Sequence, residues 1–217
     1  MRNMTRITVL TLLLAACTDI ISPPRIERYE YRIFALDNEN DLRALAFHWP
    51  RASLPIKVWV ADDDPLRPAL LRAMPIWENA LLYGEVRFEL VAAEATADIV
   101  VRNERVPENG LTGLRLHSAI DGCRGDTEFT ADIDAGTITL PFRIWVWSSS
   151  GTTNPNLPAC YDITVLHELG HALGIFAHST ATNDAMAVDP IRNELSERDR
   201  ATLEAAYHLP ATLRPER

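Results

Sequence analysis

The sequence predicts an α+β domain in which a mixed, twisted sheet of five strands packs against helices. Short runs of alternating or continuous apolar residues indicate the strands, of which the first lies at residues 55–60. Apolar residues recur at helical spacing over residues 66–82, between the first and second strands. The order strand, helix, strand, strand indicates a right-handed crossover. Two more helices are predicted near the C-terminus, at residues 161–173 and 196–207.

The elements of the first half follow one another closely. Residues 55–60 alternate apolar and polar side chains, as a half-buried strand does. The helix at 66–82 is preceded by three aspartates and Pro65, and both features favour a helix start. Two strands follow, an alternating one at 86–91 and a buried one at 97–101. The apolar positions of the helix are Leu70, Leu71, Met74, Trp77 and Leu81.

The second half adds two strands and the two C-terminal helices. A strand is predicted at 111–118, followed by a long loop at 119–128. The fifth strand is predicted at 137–147, with an interruption at Pro141 because proline cannot donate to a strand ladder. Residues 148–158 are rich in serine, threonine, asparagine, glycine and proline, which indicates a surface loop. The last helix opens on a capping-box-like pair, Ser196 and Asp199.

The composition is that of an ordinary globular protein with an acidic surface. The chain of 217 residues is long enough for one domain with a sizeable core. Its formal net charge of −9 argues against nucleic acid as a partner, because phosphate groups repel an acidic surface. Composition does not set the oligomeric state, for which a monomer is the default expectation.

The N-terminus resembles a bacterial lipoprotein signal. Residues 1–16 combine a basic start with a mostly apolar run that is too short to span a bilayer. The run ends in Leu-Ala-Ala-Cys, which is similar to the bacterial lipobox and implies cleavage before Cys17 and lipidation of that cysteine. We therefore expect an exported bacterial lipoprotein that contacts the membrane only through this lipid. Residues 17–47 would tether a domain at 48–217, and ordinary secretion with cleavage near Ala16 is the alternative.

Two cysteines remain if Cys17 is lipidated. In an exported chain, the remaining pair Cys123 and Cys160 favours one disulfide. Such a bridge would pin the predicted loop at 119–128 near the start of the helix at 161–173.

Three of the six histidines lie within twelve residues, in and after the segment His-Glu-Leu-Gly-His-Ala-Leu-Gly that begins at His167. On a helix, His167 and His171 point the same way one turn apart, as two imidazoles that share one metal must. Glu168 follows the first ligand directly, so its carboxylate can serve as general base on a water molecule activated by zinc. Gly174 stands where a left-handed residue commonly ends a helix, which lets the chain bring His178 back to the ion.

This pattern resembles that of the metzincin zinc proteases, and the flanking residues are most similar to the matrixin branch. Met186 stands eight residues after His178, where matrixins place the methionine of their Met-turn. Residues 195–199 open a helix similar to the C-terminal helix of that family, and residues 54–60 look like its first strand. The resemblance implies a zincin domain whose sheet has one antiparallel edge strand, with Met186 as a buried floor beneath the metal.

The chain departs from the metzincin pattern at one point. Three residues, 175–177, separate Gly174 from His178, where metzincins usually have two. Either the turn holds one more residue, or another side chain is the third ligand. The eight-residue spacing between His178 and Met186 favours His178. The alternative third ligands are Asp184, Asp189 and Glu194.

Two functions from different classes follow from these residues. The resemblance implies a zinc endopeptidase that hydrolyses peptides or proteins, with one catalytic zinc ion on His167, His171 and His178. Glu168 would be the general base, and the substrate would lie along an exposed edge strand at 114–118. The alternative is a non-catalytic surface lipoprotein with a structural zinc site, which would need a fourth protein ligand and no base. Calcium is possible but is not supported by a motif, because the acidic loops lack EF-hand spacing.

Overall fold

The computed structural model describes residues 26–107, 113–120, 122–149 and 156–217. The signal peptide expected at residues 1–16 and the lipidation expected at Cys17 lie outside this part of the chain. Within it, no helix combines the length and the apolar character that crossing a membrane requires.

The domain is α+β, as predicted, and a mixed sheet packs against a buried helix. Over the described ranges, nine strands and three α-helices follow one another. The strands are β1 (Ile33–Leu36), β2 (Leu42–Leu45), β3 (Ile56–Trp59), β4 (Phe88–Leu90), β5 (Ile99–Arg102), β6 (Leu114–Ile120), β7 (Cys123–Asp132), β8 (Thr137–Ser148) and β9 (Arg214–Glu216). The α-helices are α1 (Arg67–Glu78), α2 (Leu157–Ala172) and α3 (Glu197–His208).

The large sheet has seven strands instead of the predicted five. Its order is β4-β3-β5-β8-β7-β6, and β9 pairs with the start of β8. Neighbours among β4, β3, β5 and β8 are parallel, whereas β7 is antiparallel to both β8 and β6. The strand that runs opposite to its neighbours is therefore β7, inside the sheet, whereas the prediction placed one antiparallel strand at the edge. The edge strand β6 pairs antiparallel with β7 and runs in the same direction as β8.

The two additional strands come from segments without a strand pattern in the sequence. The predicted loop at 119–128 instead completes β6 and, after a turn at Gly122, begins β7. Gly122 has a φ of 82°, a conformation that side-chain-bearing residues rarely adopt, so glycine permits the tight return. The polar start of β7 shows no alternation, and its pairing with both β6 and β8 holds it as a strand. The other addition, β9, lies close to the C-terminus and pairs at Thr137.

β8 continues through Pro141 without the predicted interruption. The ladder between β7 and β8 shifts register between Glu128 and Thr130, at the level of this proline. Pairing with β5 begins directly after the proline, at Phe142, whose N–H donates to the carbonyl of Asp98 over 2.9 Å. Proline is tolerated at such an irregularity because no ladder hydrogen bond is required from its nitrogen.

Residues 26–47, predicted as a tether, contribute a hairpin and part of the core. β1 and β2 pair antiparallel, and Tyr31, Leu45 and Phe47 are buried. Ring centroids 4.6–6.3 Å apart define an aromatic cluster formed by Phe47, Trp49, Phe129, Phe142 and Phe176. The packed unit thus extends N-terminal of residue 48, where the sequence places the domain boundary.

Two buried tryptophans connect the rest of the domain to α2. The indole of Trp77 in α1 donates to the carbonyl of Leu166 over 2.9 Å. The indole of Trp49 donates to the carbonyl of Ala172, at the end of α2, over the same distance. α2 is buried along most of its length, so its functional residues lie inside the domain. α3 opens on the predicted capping box.

The predicted disulfide between Cys123 and Cys160 is present, with Cα atoms 5.9 Å apart. It joins the first residue of β7 to the first turn of α2, and both cysteines are buried. The bridge therefore fixes the position of the edge hairpin β6–β7 relative to the histidine-bearing helix.

We expect a variant with both Cys123→Ala and Cys160→Ala to lose about 3–4 kcal/mol of unfolding free energy, because the bridge restricts a long loop in the unfolded chain. The cysteines are 37 positions apart, so the entropy of closing that loop is substantial. Denaturant unfolding of the oxidised wild type and of the variant measures the difference. Equal midpoints and slopes would contradict the expectation.

Candidate active site

Three imidazole nitrogens converge between α2 and the turn that follows it. The Nε2 atoms of His167 and His171 are 3.0 Å apart, and those of His171 and His178 are 3.2 Å apart. All three potential ligand atoms lie within 4.8 Å of one another. His167 and His171 share one face of α2 and are fully buried, whereas His178 is half-buried. The cluster is therefore closed on the helix side and reached from the side of His178.

Backbone carbonyls orient two of the rings. Nδ1 of His167 donates to the carbonyl of Ala185 over 2.7 Å, and Nδ1 of His171 donates to that of Ile175 over 2.6 Å. A neutral imidazole that donates through Nδ1 presents an unprotonated Nε2. Two such lone pairs 3.0 Å apart repel each other unless a cation lies between them. The donor set consequently fits a zinc ion, and the carbonyls would fix the ligand rings.

The surroundings keep the imidazoles neutral. Burial lowers the pKa of His167 to about 3 and that of His178 to about 4. Burial, together with the two neighbouring imidazoles, holds the pKa of His171 well below its usual value. Neutral imidazole is the form that coordinates a metal, so the cluster can accept an ion at neutral pH without first releasing protons.

The N-terminal segment accommodates the additional residue in the turn. Gly174 has a φ of 106° and lies against the backbone of Phe47, where a side chain would collide. The carbonyl of Tyr31 accepts the N–H of Phe176 over 2.7 Å. These contacts hold a three-residue turn in a shape that still returns His178 to the other two histidines.

The alternative third ligands lie elsewhere. Asp184 is buried, but its carboxylate is bonded to three side chains, those of Ser179, Ser196 and Arg198. Asp189 and Glu194 are exposed. In the part of the chain that the structure describes, the group that could hold a metal consists of the three histidines and none of these carboxylates.

Met186 packs against the histidine-bearing helix. It is fully buried, and its thioether occupies the space beside Gly170 that a side chain there would need. The N–H groups of Ala185 and Met186 donate to the carboxylate of Asp199 over 2.7 and 3.3 Å. Because the carbonyl of Ala185 holds His167, α3 fixes the turn that orients the first histidine.

Glu168 reaches from α2 to the edge of the sheet. The hydroxyl of Ser118 on β6 donates to Oε1 over 2.6 Å, and that of Thr127 on β7 donates to Oε2 over 2.7 Å. Burial raises the pKa of Glu168 to about 8, and the two hydroxyl hydrogen bonds oppose this rise. A dication beside the carboxylate would favour its charged form, which is the form that accepts a proton.

Sequence reasoning missed the two hydroxyls that contact Glu168. Ser118 falls in the predicted edge strand without an assigned role, and Thr127 falls in the predicted loop at 119–128. Their contacts with Glu168 span 50 and 41 positions of the chain. A single serine or threonine so far from its partner has no spacing signal, so only the pairing of β6 with β7 reveals them.

An open cavity of 380 Å³ lies along β6 and β7 and shares Ser118 with the site. Its lining includes His117 and an ion pair between Arg115 and Asp126, whose closest atoms are 2.9 Å apart. A larger cavity of 590 Å³ lies between β2 and the turn at 133–136, and neither the three histidines nor Glu168 line it. Neither cavity is lined by the three histidines or Glu168, and the smaller one adjoins the site only through Ser118.

Comparison with known proteins finds a partial and distant relative. No model of a protein family matches the chain. Human matrix metalloproteinase-15 is 33% identical over 131 residues, which are 55% of this chain and 17% of that protein. The chain thus spans less than a fifth of its relative. This similarity and the three-histidine cluster suggest a relation to the metzincin proteases and loosely support a zinc peptidase.

Proposed function

We propose that this protein is a zinc-dependent endopeptidase. The observation that carries the proposal is the convergence of three neutral imidazoles, with ligand atoms within 4.8 Å of one another. Glu168 directly follows the first of these histidines on α2. The partial similarity to matrix metalloproteinase-15 supports the same activity. His167, His171 and His178 would hold the ion, and Glu168 would be the general base.

The bound ion and Glu168 would have separate roles in peptide hydrolysis. A bound zinc ion would polarise the scissile carbonyl and acidify the attacking water. Glu168 takes a proton from that water as it attacks the carbonyl carbon, and it returns the proton to the leaving amine. The products are a carboxylic acid and an amine, and Glu168 is restored. The buried position of Glu168 strengthens its electrostatic interactions during these steps.

We place the substrate, a peptide or protein segment, along β6. β6 ends the strand order and pairs only with β7 within the described sheet, so its other edge can form backbone hydrogen bonds. An extended peptide added there would be held by its main chain, with specificity left to side-chain pockets. The cavity along β6 and β7 adjoins this strand and is lined by Arg115, His117 and Asp126 among others.

A structural zinc site is the second candidate function. The complete burial of Glu168 and the engagement of both its oxygens favour this alternative, because a general base must meet water. A structural site is closed by four protein ligands, however. Among the described histidines, cysteines and acidic residues, the candidate group has three members and no fourth.

A peptide-library digest separates the two candidates. Purified protein without residues 1–17 is incubated with the library in the presence and absence of a zinc chelator, and cleaved bonds are identified by mass spectrometry. The endopeptidase should cleave internal bonds, lose activity with the chelator and regain it when zinc is added. Zinc-loaded protein that cleaves no peptide would favour the structural site.

The three-histidine assignment has a direct test in zinc binding. We expect His178→Ala to weaken zinc binding strongly, because two imidazoles remain where the ion needs three protein ligands. Competition with a chromophoric chelator measures the affinity. Asp189→Ala is the matched control, since Asp189 is exposed and should not affect binding. Wild-type affinity in the His178 variant would reject the assignment.

We also propose that the protein is an exported bacterial lipoprotein anchored through Cys17. The support is the Leu-Ala-Ala-Cys run that ends the N-terminal apolar segment. Lipidated chains should sediment with membranes, because several acyl chains anchor stably where one anchors marginally. Cys17→Ser should release the protein to the soluble fraction. A variant that stays with the membranes, or a wild type that is soluble, would instead support secretion or another anchor.

A further inference from the structure

We propose that Ser118 and Thr127 are positioning residues for Glu168, and that with Gly125 they form a carboxylate cradle on the sheet edge. This inference rests on the proposed function, because it states how the general base of that reaction is held. The cradle spans both strands of the edge hairpin: Ser118 lies on β6, and Gly125 and Thr127 lie on β7.

The two hydroxyls hold the carboxylate from both sides. Ser118 donates to Oε1 over 2.6 Å and Thr127 donates to Oε2 over 2.7 Å, both short distances typical of hydroxyl–carboxylate bonds. The Thr127 hydroxyl oxygen also lies 3.2 Å from the backbone carbonyl oxygen of Glu168, so this side chain contacts α2 at two points. Ser118, Thr127 and Glu168 are all buried. A buried carboxylate with both oxygens bonded cannot rotate without breaking a hydrogen bond.

Gly125 provides the space that the carboxylate occupies. A Cβ at this position would lie 2.7 Å from the carboxyl carbon of Glu168 and collide with it. Gly125 is the register partner of Ser118 across the hairpin, so the space and one of the two donors lie at the same level of the sheet. The absence of a side chain at Gly125 therefore permits the close approach of β7 to α2.

The cradle leaves the carboxylate able to work as a base. An ionised carboxylate has about four lone-pair sites, and the two hydroxyls use two of them. The other two sites are not used by these hydroxyls, so the carboxylate keeps acceptor capacity. A base held in one orientation loses little entropy when the reaction begins, which is how positioning accelerates chemistry. The disulfide at Cys123 fixes β7 to α2 and so maintains the same geometry.

Kinetics of three variants and one control variant test the cradle. We expect Ser118→Ala and Thr127→Val each to lower kcat by about 10–100-fold, with KM within about twofold of wild type, because Glu168 would be misdirected while substrate binding is kept. Thr127→Ser keeps the hydroxyl and should restore most of the rate. Thr139→Val, at an exposed threonine on neighbouring β8, is the matched control and should not change kcat.

A second readout does not depend on activity. The unfolding free energies of Ser118→Ala, Glu168→Ala and the double variant are measured after removal of metal. Because the two side chains are hydrogen-bonded, we expect the effects to be non-additive. The same cycle is run with Thr127→Val in place of Ser118→Ala.

The outcomes separate the cradle from the proposed function. Additive cycles together with an unchanged kcat would overturn the cradle and leave the endopeptidase intact. A higher kcat in Ser118→Ala would also overturn it, because Ser118 would then shield Glu168 and not position it. A wild type that is zinc-loaded but hydrolyses no peptide would overturn the proposed function, and non-additive cycles would then leave the cradle as a purely structural contact.

Discussion

Replacing Glu168 with glutamine is expected to lower peptide hydrolysis by about 10²–10⁴-fold while the protein stays folded and binds zinc. The amide has nearly the shape of the carboxylate, so it can occupy the same buried space beside Ser118 and Thr127. It cannot accept the proton of the attacking water, so the reaction loses its base. Initial rates on the best peptide from the library digest measure the effect.

The control for this variant is Glu194→Gln, an exposed substitution of the same chemistry. It should leave the rate unchanged. Zinc content and thermal unfolding of both variants show whether folding or metal binding has been affected. Wild-type turnover in the Glu168 variant would mean that another group is the base, or that this site does not catalyse the reaction.

Replacing Asp199 with alanine is expected to have the largest effect on stability, about 3–5 kcal/mol, because buried donors left without a partner cost about 1–3 kcal/mol each. The Asp199 carboxylate accepts four hydrogen bonds over 2.6–3.3 Å. Their donors are the hydroxyl of Tyr29 and the backbone N–H groups of Ala185, Met186 and Ser196. The substitution removes the side-chain half of the capping box that Asp199 contributes and loosens the turn that follows His178.

Urea unfolding with the metal removed isolates the stability effect of Asp199→Ala from any effect on zinc. Glu197→Ala, an exposed change in the same first turn of α3, is the matched control and should cost little. Zinc affinity should also fall in the Asp199 variant, because the carbonyl of Ala185 orients His167. A loss of less than about 1 kcal/mol would show that the four donors find other partners at little cost.

Local patterns in the sequence were sufficient to predict much of the fold. The alternation at 55–60 and the helical spacing at 66–82 predicted β3 and α1, although α1 is shorter at both ends. The pair Ser196 and Asp199 predicted the start of α3. These signals are local, because a cap or an amphipathic face is set by residues within a few positions of one another.

The strand next to the sheet edge could not be predicted in the same way. β7 begins with a polar, glycine-containing run that reads as a loop, and it is a strand because β6 and β8 pair with it on both sides. Pairing with a strand on each side can override a weak local preference. β9 is a similar case, since its three residues pair with the start of β8, more than seventy positions earlier in the chain.

The sequence by itself determined the chemistry of the candidate site: His167 and His171 on one helix face, Glu168 beside them, and a glycine turn leading to His178. Helical spacing is enough to place His167, His171 and Glu168 relative to one another, because a period of 3.6 residues per turn fixes which side chains share a face. Only the tertiary structure decided that His178 completes the cluster despite the longer turn, since Tyr31 and Phe47 shape that turn from the other end of the chain. The tertiary structure likewise brought Ser118 and Thr127 to Glu168. Contacts of this kind depend on packing between distant segments, which no local spacing encodes.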